Sequence, residues 1–503
     1  MDGNNNMFQD NIISPFLGKV QDFGTYNAFC INDKFYTYND FAQYISKIRK
    51  ALQTSERKGL NIGLVVNDDI ETYASIFAIW FEGCAYVPLH PLQPIERNSE
   101  IIHQADIYLI IDSSFSSSFK DVAIIESGKL RFDELNLHPN TIPDEVVAYI
   151  LFTSGSTGKP KGVPITRGNI GQFLKSFFEV GFHIDEKDRC LQCFDLTFDV
   201  SVQSFLVPLT RGACTYTIPH NQIKYSYIFG LFEEHKLTFG AMAPSMVRYL
   251  RPYFEEISVP SMRYNILTAE ASPIDLINEW SICIPNAEIY DFYGPTEATI
   301  YCTYHKIIRN GENKNYNGIS SIGKPLQGLK AIIIDDDKKI LGAGQKGELC
   351  IAGGQVTPGY WKNYEKNKES FFEIFFEGGI CRFYRTGDSC FKDKDGDIMY
   401  SGRLDYQVKI HGYRVELGEI EYYAREFLGG NNAVAVAFEN TAKNTEIALF
   451  VEGELVDDGK LLKYLGSKLP YYMSPSKIFM CKKFPLNSNG KVDRNLLKNS
   501  INL

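Results

Sequence analysis

Short β-rich runs alternate with amphipathic stretches through the first part of the chain. A run at 62–66 precedes apolar residues of helical periodicity at 70–81, and a polar-faced stretch at 96–104 precedes a second β-rich run at 107–111. Alternation of this kind is typical of βα units and a mostly parallel sheet. The sequence therefore predicts an α/β fold.

The length of 503 residues exceeds what one compact core accommodates, so we expect at least two domains. Glycines become frequent and short strands dominate after about residue 341, and a second change follows the polar stretch G-R-L-D that ends at Asp405. We expect a large N-terminal domain, 1–403, of mixed sheets flanked by helices with a β-rich subdomain, and a small mobile α+β domain, 404–503. Strand candidates in the latter are Ile410, Val415, 433–438 and 448–452.

Charge and hydropathy exclude two classes of partner. The net charge of −9 comes without a basic run, which argues against nucleic-acid binding. The most apolar segment, 73–89, is interrupted by Glu82 and Gly83 and is shorter than the roughly 20 residues that span a bilayer. The eleven cysteines show no repeated spacing and are expected as reduced thiols. We expect a cytoplasmic, monomeric protein without a signal peptide or membrane span.

A loop rich in hydrogen-bond donors follows the apolar run at 148–152. Residues 151–162 read L-F-T-S-G-S-T-G-K-P-K-G, in which glycines allow close backbone approach and hydroxyl, amide and ammonium groups suit phosphate oxygens. A flexible solvated turn is the alternative. The P-loop pattern of nucleotide triphosphatases does not fit, because Thr153 stands where that pattern needs glycine and Pro160 follows Lys159.

The loop resembles the signature of the adenylate-forming superfamily, which includes amino-acid adenylation domains, acyl-CoA synthetases and luciferases. Further motifs of that superfamily follow in order: G-C-A-Y-V-P-L at Gly83, Y-G-P-T-E at Tyr293, G-E-L-C-I-A-G at Gly347, Y-R-T-G-D at Tyr384, G-R-L-D at Gly402 and N-G-K-V-D-R at Asn489. The resemblance implies two reactions with ATP and Mg²⁺ as cofactors. A carboxylate and ATP give an acyl-adenylate and pyrophosphate, and a thiol then displaces AMP.

The resemblance also implies roles for single residues. Lys491 would place a cation between the carboxylate and the α-phosphate, Thr296 would contact that phosphate, and Glu297 would bind Mg²⁺. Asp405 matches the hinge position, about which the C-terminal domain would rotate so that 409–414 replaces Lys491 before thiol transfer. The implied nucleotide contacts are Thr153, Ser154, Ser156, Thr157, Lys161, Asp291, Phe292, Tyr293, Asp388 and Arg403.

The acid-binding pocket is predicted from the stretch F-D-L-T-F-D-V-S-V, in which the helical spacing that follows makes Asp199 the expected N-cap. Amino-acid-activating members of the superfamily have an aspartate here that pairs with the substrate ammonium. A helix cap alone is the other reading of Asp199. The remaining pocket positions carried over by register are Val200, Gln203, Ala241, Leu267, Ala269, Phe292, Ile300 and Tyr301.

This pocket indicates a small, apolar amino acid, because most of its residues are apolar and Phe292 and Tyr301 are bulky. L-Proline is the first candidate, since Asp199, Val200 and Gln203 resemble the opening of proline-specific pockets. D-Alanine is the second, since H-G-Y-R at His411 resembles D-alanine:carrier-protein ligases.

No carrier segment is recognisable after Arg494, so we expect the thiol on a separate phosphopantetheine-bearing carrier protein. Two other functions are open: an acyl- or aryl-CoA ligase of the same superfamily, and a non-catalytic nucleotide-binding paralogue. The carboxylate of Asp199 argues against the former, and the presence of Lys491, Glu297 and Asp388 argues against the latter.

Overall fold

A computed structural model describes residues 12–56, 59–155, 159–219, 222–405, 407–429, 432–453, 456–486 and 492–501. The chain forms two compact units. The first contains the described residues of 1–91, 104–151 and 162–402, and the second those of 92–103, 152–161 and 403–503. The α/β fold predicted from the sequence is confirmed.

Helices begin where a side chain can satisfy the free amides of the first turn. The Thr37 hydroxyl accepts from the Asp40 amide and the Asp40 carboxylate accepts from the Thr37 amide, a capping box that starts the second helix. Asp69 accepts from the Thr72 amide at 2.8 Å at the start of the third. The helices of the described residues are α1 Ile13–Phe23, α2 Tyr38–Thr54, α3 Ile70–Phe81, α4 Ile95–Gln104, α5 Arg167–Glu179, α6 Asp199–Leu209, α7 Lys224–His235, α8 Pro244–Leu250, α9 Ile274–Cys283, α10 Tyr364–Ser370, α11 Leu417–Phe427, α12 Asp458–Lys468 and α13 Arg494–Ser500.

Strands follow the short β-branched and aromatic runs of the sequence. They are β1 Asn27–Ile31, β2 Lys34–Thr37, β3 Asn61–Val65, β4 Ala85–Leu89, β5 Leu109–Asp112, β6 Ala123–Glu126, β7 Val147–Thr153, β8 Lys161–Thr166, β9 Arg189–Gln192, β10 Cys214–Thr217, β11 Phe239–Met242, β12 Tyr264–Leu267, β13 Glu288–Tyr293, β14 Thr303–Lys306, β15 Asn315–Tyr316, β16 Ile319–Ser320, β17 Lys324–Pro325, β18 Leu329–Ile334, β19 Gly347–Gly353, β20 Phe371–Phe376, β21 Gly379–Lys392, β22 Ile398–Arg403, β23 Gln407–Ile410, β24 Tyr413–Glu416, β25 Ala433–Glu439, β26 Thr445–Glu452 and β27 Lys477–Cys481.

Two large sheets carry most of these strands. A nine-stranded sheet has the order β17-β14-β13-β12-β11-β9-β10-β1-β2, and its six central strands from β13 to β1 are parallel. A six-stranded sheet has the order β6-β5-β3-β4-β7-β8. A third sheet, built from β18 to β22 with antiparallel pairing from β18 to β21, is the β-rich part expected from the glycine-rich sequence.

The core of the first unit is rich in aromatic rings. Phe77 and Trp80 on helix α3, in which every residue but Glu71 is buried, have ring centroids 5.3 Å apart, and both pack against Phe205 of α6. Because apolar residues lie on most faces of α3, it packs as an interior helix, with the half-buried Glu71 paired to Lys47 at 3.5 Å.

In the second unit the sheet β25-β26-β27 packs against α13 through Val434, Phe450 and Leu497. The strand candidates at Ile410, Val415, 433–438 and 448–452 all lie in strands of this unit, as predicted. Over the whole described part of the chain, every helix is too short or too polar to cross a bilayer.

Candidate active site

The predicted pocket residues meet at the carboxyl ends of neighbouring parallel strands. Register pairs Met242 of β11 with Leu267 of β12, and Leu267 with Asp291 of β13. Ala241 and Phe292 lie next to these positions on the same strands. Ligands of parallel sheets bind at the carboxyl ends of the strands, so this edge is the candidate site of the first unit.

Asp199 is the first residue of α6, and the N-cap is Phe198, which makes no side-chain cap. The prediction that Asp199 caps this helix is therefore wrong, because the helix begins one residue earlier than the apolar spacing indicated. The carboxyl is only 6% exposed, and its Oδ2 has no hydrogen-bond partner among the residues described. Burial raises the pKa of Asp199 to about 6, and the negative charge of nearby Glu297 raises it further. Hydrogen bonds from the Thr296 hydroxyl and the Ile300 amide act in the opposite direction and lower this pKa.

Two tyrosines that the sequence did not assign lie beside this carboxyl. Tyr86 of β4 and Tyr149 of β7 are fully buried with ring centroids 5.6 Å apart, and neither hydroxyl has a partner in the described structure. Burial raises the pKa of both, and the charge of Asp199 adds to each rise. A carboxylate oxygen and two phenol hydroxyls are therefore buried in this region without partners among the residues described. Tyr86 belongs to the motif G-C-A-Y-V-P-L, whereas Tyr149 lies outside every motif, and an aromatic residue on a buried strand usually indicates core packing alone.

The far wall of the pocket joins Gln203 to Tyr301. The Tyr301 hydroxyl donates to the Gln203 Oε1 at 3.3 Å, and both residues are fully buried. The Tyr301 ring lies 4.9 Å from that of Phe292, centroid to centroid. The Cys193 thiol donates to the carbonyl of the pocket residue Ala241 at 3.3 Å, and burial raises the pKa of Cys193 to about 12. Val200, Leu267 and Ile300 are also buried.

A strained turn contains the predicted site residues Thr296, Glu297 and Ile300. Thr296–Ala298 forms one turn of 3₁₀-helix, after which Thr299 has φ 55° and Ile300 has φ 70°. Positive φ is a genuine outlier for β-branched residues and marks functional sites. Ala269 has φ 69° as well. Gly294 makes the close approach to this turn possible, since a Cβ there would lie 2.2 Å from the Ile300 carbonyl oxygen.

Glu297 is fully buried next to this turn. The Tyr360 hydroxyl donates to its Oε1 at 2.7 Å, and the Thr357 amide donates to its main-chain carbonyl at 2.8 Å. A fixed carboxylate beside the Thr296 hydroxyl offers the hard oxygen ligands that Mg²⁺ accepts while it keeps several waters, so these residues fit the predicted metal.

The predicted nucleotide residues of the first unit lie on β13 and β21. The hydroxyl of Tyr293 donates to the Asp388 carboxylate, and both residues are buried. Burial raises the pKa of Tyr293, and the charge of Asp388 adds to that rise. Asp291 is buried two residues before Tyr293 on the same strand. The Asp388 carboxylate thus accepts a hydrogen bond from a buried protein hydroxyl.

A second group of predicted residues belongs to the other unit. The Ser154 hydroxyl donates to the Arg414 carbonyl at 2.9 Å and accepts from the Glu416 amide at 3.2 Å. The Lys161 ammonium lies 3.9 Å from the Glu416 carboxylate. Thr153 ends β7, and Arg403 forms an ion pair with Asp405 at 2.6 Å. Ser156, Thr157 and Lys491 lie outside the described residues.

Comparison with known proteins gives one family and a consistent fold. The AMP-binding enzyme family matches residues 19–361. Tyrocidine synthase 1 of Brevibacillus parabrevis is 32% identical over 451 residues, which cover 87% of this chain and 40% of that synthase. The chain thus spans less than half the length of this curated relative.

Two solved structures show the same fold. The Vibrio cholerae adenylation domain AlmE, solved in complex with glycyl-adenosine-5'-phosphate, superposes with a TM-score of 0.87 at 22% identity and covers 100% of this chain and 99% of its own. NpsA-ThdA of Klebsiella oxytoca, an artificially fused adenylation-PCP di-domain, has a TM-score of 0.83 at 22% identity, with 93% of each chain covered.

Proposed function

Because the chain belongs to the AMP-binding enzyme family and has the fold of an adenylation domain, we propose that it is an amino acid:carrier-protein ligase. It uses ATP to form an aminoacyl-adenylate from a small amino acid and then passes the aminoacyl group to the phosphopantetheine thiol of a separate carrier protein. The observation that carries this proposal is the buried carboxyl of Asp199, with one oxygen lacking a partner in the described part of the pocket.

The first half-reaction joins two anions. An oxygen of the amino-acid carboxylate attacks the α-phosphorus of ATP, a P–O bond forms, and pyrophosphate leaves with the electron pair of the bond that breaks. In this proposal Lys491 supplies the cation between the two anions, Thr296 contacts the α-phosphate, and Glu297 holds Mg²⁺, which neutralises phosphate charge when bound. The short bond from Tyr360 to Glu297 supports the latter role, because it fixes the carboxylate before substrate arrives.

Asp199 distinguishes amino acids from other acids. An ionised carboxylate inside an apolar pocket is costly unless a cation pairs with it. The ammonium of an amino acid provides that cation, whereas a fatty or aryl acid does not. An acyl- or aryl-CoA ligase is the second candidate function, and the place of Asp199 disfavours it.

The residues of the pocket wall favour an amino-acid substrate with a small side chain. The rings of Phe292 and Tyr301 pack 4.9 Å apart, and the Tyr301 hydroxyl is tied to Gln203, so bulky side chains make up this wall. L-Proline and D-alanine remain the candidates from the sequence, and glycine joins them because AlmE was solved with a glycyl-adenylate.

Further parts of the proposal concern partners and organisation. A thiol-bearing carrier is supported by NpsA-ThdA, in which an adenylation domain is fused to a PCP. We also propose that the carrier is a separate protein, that the enzyme is a monomer, and that its domains are 1–403 and 404–503 with a hinge at Asp405. The cytoplasm is its proposed location, because ATP is a substrate.

The decisive experiment is amino-acid-dependent exchange of pyrophosphate into ATP. The panel contains L-proline, D-alanine, L-alanine, glycine and D-serine, with L-leucine and L-phenylalanine as large controls. One of the small amino acids is expected to lead, and thioester formation is then expected with a phosphopantetheinylated carrier but not with coenzyme A. Exchange driven only by acids without an ammonium group, with coenzyme A as acceptor, would establish the acyl- or aryl-CoA ligase instead.

A further inference from the structure

Gln355 makes four hydrogen bonds to the strained turn at the pocket. It lies two residues after β19 and is fully buried. Its amide Nε2 donates to the carbonyls of Ala298 at 3.3 Å, Thr299 at 3.3 Å and Tyr301 at 2.7 Å. The Thr299 hydroxyl donates back to the main-chain carbonyl of Gln355. Because all three neighbours of the amide are acceptors, only the NH₂ end can face them.

The turn depends on support from other segments because, apart from the Ile300 amide that donates to Asp199, its described amides make only short-range hydrogen bonds. The amides of Ala298, Thr299 and Tyr301 donate to residues only two or three positions back along the chain. Thr299 and Ile300 both hold positive φ, which costs on the order of 1–3 kcal/mol at each β-branched residue. Such a conformation persists only where surrounding groups fix it.

The same turn places the residues that limit the pocket. Ile300 is the second strained residue, and Tyr301 follows it directly. The Tyr301 ring contacts Phe292 and its hydroxyl reaches Gln203. A small rotation at Thr299 or Ile300 therefore swings the ring of Tyr301 away from the end of the pocket where a substrate side chain would lie.

We infer that Gln355 is a positioning residue that sets the size limit of the acid pocket by holding the turn 298–301 in its strained form. Its described hydrogen bonds all go to this turn, so it would act on the substrate through Tyr301. This inference rests on the proposed function, since it assigns the limit to amino-acid side chains. It assigns specificity to a residue that lies 54 positions from the turn in sequence and outside the predicted pocket set.

The test compares Gln355→Met, which keeps the length and removes both N–H donors, with Gln355→Glu, which sets a carboxyl against three carbonyls. Gln345→Met, at an exposed position, is the matched control. The readout is the ratio of kcat/KM for the preferred small amino acid to that for L-leucine in pyrophosphate exchange. We expect the ratio to fall about tenfold in Gln355→Met with the KM for ATP unchanged, because one methylene-scale change in a pocket is worth about that much discrimination.

A readout independent of activity is hydrogen–deuterium exchange of peptides that cover 294–304. Exchange there is expected to accelerate in Gln355→Met and to stay unchanged in Gln345→Met, since loss of the amide donors lets the turn open. Thr299→Val removes the return bond at the same shape and is expected to give a smaller shift in the same direction. Thr299→Val also tests the inference if the Gln355 variants do not fold.

The outcomes separate the inference from the proposed function. Unchanged exchange at 294–304 in Gln355→Met overturns the positioning role. Faster exchange with an unchanged ratio overturns the size limit, as does a uniform fall in kcat for every amino acid. Absence of amino-acid-dependent pyrophosphate exchange in the unsubstituted protein overturns the proposed function, and with it the size limit, while hydrogen exchange still decides whether Gln355 holds the turn.

Discussion

Replacement of Asp199 by asparagine is expected to stabilise the ligand-free protein while it removes activity on amino acids. Burial raises the pKa of this carboxyl from 3.8 to about 6. The pKa of Asp199 is thus higher in the folded state than in the unfolded state. The protonated carboxyl therefore contributes its full stabilisation below the unfolded-state pKa, and this contribution is lost as the pH rises through about 6. One pKa unit equals about 1.4 kcal/mol, so the ionised carboxyl costs the folded state about 3 kcal/mol in neutral and basic solution.

The amide in Asp199→Asn carries no such cost, so the variant should gain up to about 3 kcal/mol in the free energy of unfolding near pH 8 and about half of that near pH 5. Its activity should fall for the opposite reason, because the ammonium of the substrate loses its charged partner. Loss of a buried charge pair costs about 2–5 kcal/mol, which lowers kcat/KM for the amino acid by about 30-fold to several thousand-fold.

Urea unfolding of the two proteins at about pH 8 and about pH 5 measures the first effect, and pyrophosphate exchange measures the second. Asp22→Asn, at an exposed position on α1, is the control and should change neither quantity. In the unsubstituted enzyme, kcat/KM for the amino acid should also decline as the pH falls below about 6. The reasoning would be refuted if Asp199→Asn were no more stable than the unsubstituted protein near pH 8, or if its gain in the free energy of unfolding did not depend on pH.

Three further substitutions test other parts of the site. Lys491→Ala should abolish adenylate formation and leave transfer from supplied aminoacyl-adenylate largely intact, and equal loss of both steps in single-turnover assays would contradict the assigned role. Tyr293→Phe removes the hydroxyl that holds Asp388 and should raise the KM for ATP about five- to tenfold without changing the KM for the amino acid, which initial-rate kinetics would show. Gly294→Ala forces a methyl group against the Ile300 carbonyl. It should lower the free energy of unfolding, measured in urea, by about 1–3 kcal/mol and should reduce pyrophosphate-exchange activity. An unchanged urea midpoint would show that the turn accommodates the methyl group.

Periodicity in the sequence was sufficient for the elements but not for the details of the site. Helix α3 coincides with the predicted 70–81, because its apolar residues and the Asp69 cap leave no other register. The first turn of α6 was harder to place, since Phe198 makes no side-chain cap and Asp199 already has helical geometry. The family assignment is confirmed, since motifs spread over most of the chain reflect a common fold. The roles of single residues remain predictions.

What the sequence missed depends on contacts between distant residues. Tyr86 and Tyr149 belong to strands whose alternation indicates only burial, and their approach to Asp199 follows from the order of the sheets. The positive φ of Ile300 contradicts its own propensity, so local statistics cannot predict it. The amide of Gln355, which bonds the turn from another segment, is a contact that local statistics do not contain.

The thiol of Cys193 has a chemical consequence for the reaction proposed above. A mixed anhydride of an amino acid is attacked readily by any thiolate, including one that belongs to the catalyst. Since burial holds the pKa of Cys193 at about 12, this sulfur stays protonated and poorly nucleophilic at physiological pH. In the proposed reaction this buried thiol would therefore not compete with the external acceptor for the activated aminoacyl group.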